Sequence, residues 1–455
     1  MKKRIVILGA GESGTGAALL AQAKGYDVFV SDSSEIKSDY KEALVAAEIT
    51  FEEGKHTVSA ILNTDLVVKS PGIAPSVSIV KQLDENEILV IDEIEFAATF
   101  TKGKIIAITG TNGKTTTTML TYHLLKQAGC DVAIAGNIGT SMAAQLIERD
   151  YDWWVIEMSS FQIDGILTFK PDIAVLLNIS PDHLDRYEDS MAQYVQSKFN
   201  LFQAMKAEDN VIINQEDTII KKKLAETTLT PNINKFGLQQ NEFSSAYLTD
   251  EELVIKYKQQ EIKIDLNLLS FRGSHNIQNA MASILSAKLA GLKTASIKES
   301  LPKFKNAQHR MELISSLHGV DFINDSKATN VDAVYYALDA FTRPVIWIVG
   351  GVDKGNDYSK LLSVSSNVKA IICLGKDNAK IKAFFSNKFG IIEETQSMDE
   401  AVRIGYKIAK DREVVLLSPA CASFDLFKSY EDRGNQFRMA VQLLERELAL
   451  KEVKK

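Results

Sequence analysis

The 455-residue sequence predicts an α/β protein built from mostly parallel sheets flanked by helices. Three observations predict it. Strand-like apolar runs alternate with helical patterns, two of those runs end in glycine-rich loops, and the composition is that of a globular chain, 45% hydrophobic and 24% charged. The length fits roughly two to four domains of about 100–200 residues each.

The runs, in order, are RIVILG from Arg4, YDVFVSD from Tyr26, TDLVVKSPG from Thr64, KIIAITG from Lys104, YDWWVIEMSS from Tyr151, PDIAVLLNIS from Pro171 and DNVIIN from Asp209. VDFINDS from Val320, RPVIWIVGG from Arg343, VKAIICLG from Val368 and EVVLLSP from Glu413 follow. They are short, continuous and rich in Val and Ile, as parallel strands covered on both faces must be. Three phases separate: residues 1–96, opened by one glycine loop; 97–306, opened by the second; and 307–455, where strands resume after a helical stretch. Between 231 and 272 the runs become short and alternate with polar residues, which predicts antiparallel hairpins decorating the middle domain.

Several function classes are disfavoured. A net charge of −7 argues against a broad basic face for nucleic acid, while leaving room for a small anion held by local cations. Cys130, Cys373 and Cys421 form no C-x-x-C pair and read as reduced thiols. The opening apolar run, about five residues long, is too short for a signal-peptide core, and no stretch approaches the ~18 apolar residues of a membrane span. A cytoplasmic monomer acting on small molecules, with no nucleic acid and no membrane insertion, is the expectation.

The first loop, Gly9-Ala10-Gly11-Glu12-Ser13-Gly14, follows a strand and matches G-x-G-x-x-G, with Asp32 ending the next strand. Such a loop lets a diphosphate approach the backbone while the acid takes a ribose hydroxyl; a bare strand-to-helix turn is the alternative. Ser70-Pro71-Gly72 follows another strand and falls at the same sheet edge. The second loop, Gly110-Thr111-Asn112-Gly113-Lys114-Thr115-Thr116, lacks the first glycine of the usual phosphate loop, Ile108 standing there instead. It keeps turn residues, a lysine point charge, a hydroxyl suited to Mg²⁺ and a helix start favouring anions. Glu157 ends a strand where a metal-binding carboxylate would sit, or caps the next helix. His183 lies in a loop between acids, readable as a surface turn; Lys198 lies in a helical pattern, where a solvated face is the ordinary reading.

These segments, with GNIG from Gly136, EMSS from Glu157, NISPDHLDR from Asn178, Lys198 and GSHNIQN from Gly273, resemble the ATP-dependent Mur ligases and their folylpolyglutamate synthetase relatives. His309-Arg310, NDSKATN from Asn324 and SPACASFDLF from Ser418 resemble the branch that adds D-glutamate. The resemblance runs from the first glycine loop to about Arg438. It implies a Rossmann-like first domain, a central P-loop-type ATPase domain and a Rossmann-like last domain. The implied reaction joins D-glutamate to UDP-N-acetylmuramoyl-L-alanine through an acyl phosphate, in cell-wall synthesis, and a short phosphate loop is normal in that family.

The roles that follow are implied by the resemblance. Residues 110–116, Asn276, Asn279, Arg310 and Asp325 would bind ATP. Thr115, Glu157, His183 and a carbamylated Lys198 would hold two Mg²⁺ ions. Lys114, Glu157, His183, Lys198 and Arg310 would carry the chemistry. Ser13, Gly14, Asp32, Ser33, Ser70, Pro71, Gly72, Asn137, Ser159 and His183 would bind the UDP substrate, so the first loop holds UDP and not NAD. Lys327, Thr329, Lys354, Ser423, Phe424 and Tyr430 would receive D-glutamate; the family pattern has phenylalanine where Tyr430 stands. An NAD-dependent oxidoreductase would leave Lys114, Glu157 and His183 without work.

Overall fold

The computed structural model describes residues 2–258, 260–269 and 273–452. Among the described residues the strands form three sheets. The first runs in the order Thr50–Glu52, Asp27–Ser31, Arg4–Leu8, Leu66–Lys69, Val90–Asp92, with every neighbour parallel. Ile5, Val6, Ile7 and Leu8 are fully enclosed because helices cover both faces of this central strand.

The second sheet begins with Val132–Gly136, Trp153–Glu157, Lys104–Thr109, Ile173–Leu176 and Asn210–Asn214, all parallel. Here the expectation for residues 231–272 needs correction. Asn232–Phe236 and Ser244–Leu248 continue the parallel sheet, and only Glu252–Tyr257 and Gln260–Asp265 are added antiparallel. Alternation of apolar and polar residues reports a half-buried face; it does not encode the direction of the neighbouring strand.

The third sheet runs Glu312–Leu317, Val320–Asn324, Val414–Ala420, Val345–Gly350, Val368–Leu374, Ile392–Thr395, parallel except for its first pair. Every residue of Val345–Gly350 and Val414–Ala420 is buried. Trp347 lies wholly inside, its indole N–H donating to the Ser418 carbonyl at 2.7 Å, so its one polar atom is satisfied.

The chain divides into two compact units, Met1–Ser270 with Gln278–Phe304 and Phe271–Ile277 with Lys305–Lys455. Within the first unit, helix Glu12–Ala23 packs on helix Met142–Glu148. A Cβ on Gly16 would come within 2.2 Å of Ser141 Oγ, so only glycine permits that approach. Acids fasten the two sheets of this unit: Glu12 accepts the Ser141 N–H at 3.0 Å, Glu93 the Ala143 N–H at 2.6 Å, and Glu95 the N–H groups of Leu167, Thr168 and Phe169 at 2.8–2.9 Å. Burial pushes the Glu93 carboxyl up to about 8. Among the described residues no helix is long and apolar enough to cross a membrane.

Candidate active site

In each sheet most of the loop residues singled out above follow the carboxyl ends of three adjacent parallel strands, the edge where open α/β sheets bind ligands; Asn137 follows a fourth strand, Arg310 precedes the third sheet, and Lys198, Asn276, Asn279 and Tyr430 lie on helices. In the first sheet those strands are Asp27–Ser31, Arg4–Leu8 and Leu66–Lys69. Asp32 accepts the Ala10 N–H at 2.7 Å and the Ser34 N–H at 2.8 Å, so both its oxygens shape the glycine loop and its flank. Ser70 donates to the Gly9 carbonyl at 3.4 Å, joining the two loops. Ser13 is half-buried in the first helical turn, Gly14 is buried, and Ser33 and Gly72 are exposed.

In the second sheet the strands are Ile173–Leu176, Lys104–Thr109 and Trp153–Glu157. The phosphate loop turns through Gly113 at φ 88°, a left-handed conformation that costs glycine nothing, and helix Lys114–Gln127 starts there. Lys114 Nζ donates to the carbonyls of Gly110 at 2.8 Å and Thr111 at 2.9 Å. Asn178 brackets the loop, accepting the Asn112 N–H at 2.8 Å and donating to the Asn112 carbonyl at 2.9 Å. The Thr111 hydroxyl lies 3.1 Å from that of Tyr194. Thr115 and Thr116 are buried at the helix start.

Glu157 is 1% exposed. One of its oxygens accepts from Asn137 Nδ2 at 2.9 Å, and the other is buried without a hydrogen-bond partner. A buried carboxylate oxygen left in that state is costly unless a cation or donor meets it. Glu157 does not cap the following helix: Ser159 does, in a capping box with Gln162. His183 stands exposed at φ 53°, its ring 5.2 Å from that of Phe161 and its Nε2 3.7 Å from Asp182.

The solvated face does not hold for Lys198, which is 1% exposed. Its Nζ donates to the Gly110 carbonyl at 3.1 Å and lies 4.7 Å from the Tyr194 ring. Burial, reinforced by the Lys114 charge, holds its amine well below the usual lysine range. Asn276 and Asn279 both lie on helix Ser274–Leu289; Asn279 is buried, its Nδ2 without a partner.

In the third sheet the strands are Val320–Asn324, Val414–Ala420 and Val345–Gly350. Asp325 is buried, accepting from the Ser418 hydroxyl at 2.9 Å and the Met311 N–H at 3.2 Å. Burial pushes its carboxyl up to about 6 against the pull of the Arg310 charge. Arg310 keeps a buried Nε without a partner. Lys327 Nζ lies 5.3 Å from the Tyr430 ring, Thr329 is half-buried, and Asn330 caps helix Val331–Asp339 through the Ala333 N–H at 2.8 Å. Lys354 is exposed, next to Asp353, which is pinned by the Tyr358 hydroxyl at 2.7 Å and Lys380 at 2.9 Å. Ser423 is buried and Phe424 is 72% exposed, an unusual state for an aromatic ring.

Arg433 escaped the sequence reading. It is 1% exposed on helix Tyr430–Glu452. Its guanidinium donates to Ser326 Oγ and the Ser326 carbonyl, each at 2.9 Å, to the Cys421 carbonyl at 3.1 Å and to the Gly350 carbonyl at 3.4 Å. One side chain thus fastens the ends of all three strands, and burial draws its pKa down only to about 10, leaving it charged at neutral pH. The sole sequence signal was a cation inside an otherwise amphipathic helix.

Three family models match the chain in order: MurD N-terminal domain over residues 4–79, Mur ligase middle domain over 108–287, and Mur ligase, glutamate ligase domain over 309–421. A UDP-N-acetylmuramoylalanine–D-glutamate ligase of Bacteroides fragilis is 48% identical over 444 residues, 97% of this chain and 100% of the relative. The chain belongs to the Mur ligase family. A Mur ligase of the same description from Christiangramia forsetii is 46% identical, covering 98% of this chain and 100% of its own. Among solved Mur ligases, MurF of Thermotoga maritima in complex with ADP superposes with a TM-score of 0.62 at 15% identity, over 92% of this chain and 95% of that one. UDP-N-acetylmuramate-alanine ligase MurC of the same organism gives 0.61 at 18%, over 97% and 99%. These two likenesses are of fold alone. As a Mur ligase the chain is an ATP-dependent ligase.

Proposed function

We propose that the chain joins D-glutamate to UDP-N-acetylmuramoyl-L-alanine at the expense of ATP, releasing ADP and phosphate, in the cytoplasmic phase of peptidoglycan precursor synthesis. The observation that carries this reading is the full-length likeness to D-glutamate ligases, 48% over 97% of the chain. The division into a UDP-substrate domain over 1–96, an ATP domain over 97–306 and an amino-acid domain over 307–455, acting as a monomer, belongs to the same reading.

The chemistry runs in two steps. An oxygen of the L-alanine carboxylate attacks the γ-phosphorus of ATP and ADP leaves, giving an acyl phosphate; the D-glutamate amine then attacks the carbonyl carbon, loses a proton, and phosphate departs. Phosphoryl transfer asks a protein mainly for positioning and neutralisation of charge. Lys114 would exchange the Gly110 and Thr111 carbonyls for phosphate oxygens, with Thr111, Asn112, Thr115 and Thr116 around the phosphates and Asn276 and Asn279 toward the nucleoside. Arg310 offers a planar fork of donors suited to the γ-phosphoryl group, and its charge is felt by the Asp325 carboxyl.

The buried, partnerless oxygen of Glu157 fits an oxygen-coordinated cation. Thr115, Glu157 and His183 would hold Mg²⁺, two ions in all, which when bound neutralise the triphosphate. Lys198 fits carbamylation: its buried amine is biased toward the neutral form that adds CO₂, and the resulting carbamate would turn a cation into an anion beside the second ion. Ser13, Gly14, Asp32, Ser33 and Ser70–Gly72 would hold UDP, with Asn137, Ser159 and His183 at the sugar-peptide end. Lys354 would pair with a carboxylate of D-glutamate, flanked by Lys327, Thr329, Ser423, Phe424 and Tyr430.

The test is phosphate release from ATP by the purified protein with UDP-N-acetylmuramoyl-L-alanine and, in turn, D-glutamate, L-glutamate, L-alanine and diaminopimelate. Release dependent on D-glutamate alone is expected. Equal release with another amino acid overturns the substrate, and none with any overturns the reaction.

A further inference from the structure

Arg186 lies three residues beyond His183, on the turn Leu184–Arg186, and none of the roles above uses it. Its guanidinium donates Nη1 to the Gly72 carbonyl at 3.0 Å and Nη2 to the Pro71 carbonyl at 3.3 Å. From the first sheet, Lys69 Nζ donates to the Ser70 carbonyl at 3.3 Å and the Ile73 carbonyl at 2.9 Å. The four successive carbonyls of residues 70–73 therefore all accept from two cations, Lys69 at the end of a strand of the first sheet and Arg186 on the turn Leu184–Arg186. In a trans peptide the N–H points opposite the C=O. Holding the Pro71 carbonyl thus turns the Gly72 N–H away from the cations, leaving a donor at the exposed tip of the loop.

The other side of Arg186 is equally committed. Its guanidinium carbon lies 4.3 Å from the Phe161 ring centroid, and the same ring lies 5.2 Å from His183. Phe161 belongs to the short helix Ser160–Ile163 that follows the strand ending in Glu157. A planar cation stacked on a ring while forking onto two carbonyls is a task for arginine; lysine offers one point charge.

We propose that Arg186 is a positioning residue that braces the loop Ser70–Gly72 against the turn carrying His183, so that the loop assigned to UDP is set in register with the reacting end. The inference rests on the substrate assignment made above and adds a residue to it. The brace acts chiefly on the UDP substrate, because the contacts of Arg186 lie with the Pro71 and Gly72 carbonyls and the Phe161 ring, and the ATP loop is not among them.

The experiment measures dissociation constants of UDP-N-acetylmuramoyl-L-alanine and of ATP by titration calorimetry, with ligation kinetics, on the full chain and on Arg186→Ala, Arg186→Gln and Arg186→Lys. Arg186→Ala should weaken the UDP substrate about tenfold and lower kcat, with ATP affinity unchanged within about twofold, and Arg186→Lys should recover part of the loss. Unchanged affinity for the UDP substrate overturns the brace, as does a parallel loss for both ligands, which marks general loosening; Arg186→Gln, nearer in size, repeats the measurement should the alanine variant fail to fold. An unsubstituted chain that does not bind the UDP substrate refutes the substrate assignment itself, whereas tight binding indifferent to Arg186 refutes only the brace.

Discussion

Replacing Lys198 by alanine separates a structural lysine from a carbamate. The side chain is 1% exposed, so truncation opens a cavity of about 80 Å³, worth roughly 2 kcal/mol at ~24 cal/mol per Å³. No acceptor is orphaned, because the Gly110 carbonyl keeps Lys114 at 2.8 Å. The protein should therefore stay folded, with a melting temperature lowered by about 2–5 °C. Loss of an anion that organises developing charge should instead lower ligation by about 10²–10³-fold, or about 3–4 kcal/mol. Acetate is small enough for the cavity and should restore at least about tenfold of that loss when saturating, with ATP affinity unchanged. Lys198→Arg keeps a cation that resists deprotonation and cannot be carbamylated, so it should be inactive and unrescued. The assay is phosphate release against acetate concentration for both variants and the unsubstituted protein, with calorimetry for stability. A fully active Lys198→Arg enzyme refutes the reasoning, and so does acetate stimulation of the same size in the unsubstituted protein.

Three further outcomes are expected. Lys114→Ala should weaken ATP at least about tenfold and nearly abolish ligation while leaving the melting temperature within about 2 °C, since water can replace the loop carbonyls' partner; nucleotide titration and calorimetry check it. Lys354→Ala, at an exposed position, should raise KM for D-glutamate about 10–50-fold and leave KM for ATP within about twofold, read from steady-state titration of each; an effect confined to ATP moves Lys354 out of the amino-acid site. Glu93, with its carboxyl raised to about 8, binds its proton more tightly folded than unfolded, so its stabilising share is complete below about pH 4.5 and is lost as pH rises through about 8. Glu93→Gln keeps an acceptor for the Ala143 N–H and should flatten that decline, visible as a melting temperature that falls less between pH 6 and 9; an unaltered pH slope contradicts the assignment.

What the sequence disclosed follows from where each element sits. All eleven runs that read as strands are strands, and those not read, Thr50–Glu52, Val90–Asp92, Val132–Gly136, Glu312–Leu317 and Ile392–Thr395, are sheet edges. An edge strand is covered on fewer sides, so four of these are short or mixed in composition and their apolar signal is dilute; Val132–Gly136, apolar throughout, is the exception. The phosphate loop was legible because lysine, glycine and threonine spacing is a local requirement of binding phosphate. Lys198 was not legible from its own residues, because burial of a helical lysine depends on what packs over it, here Tyr194 and the loop at Gly110. Asp32 shows a different case: the motif marked an acid for the substrate, and in the fold its two oxygens also accept the Ala10 and Ser34 N–H groups that shape the loop, a local task the pattern does not state.

The single guanidinium of Arg433 makes three loops into one heritable unit. Ser326, Gly350 and Cys421 each present it an oxygen, so moving any one strand end strips a hydrogen bond from a buried cation that has no carboxylate partner among those contacts, a penalty of about 1.5–3 kcal/mol per bond. Transplanting one of these loops from a ligase of different taste would carry that penalty unless the other two came with it. The freedom to change what is recognised lies elsewhere, in side chains such as Lys354 and Phe424 that are exposed and make none of the bonds to Arg433. Diversification on this scaffold is therefore expected to proceed by repainting loop tips while the clasp beneath them is passed on unaltered.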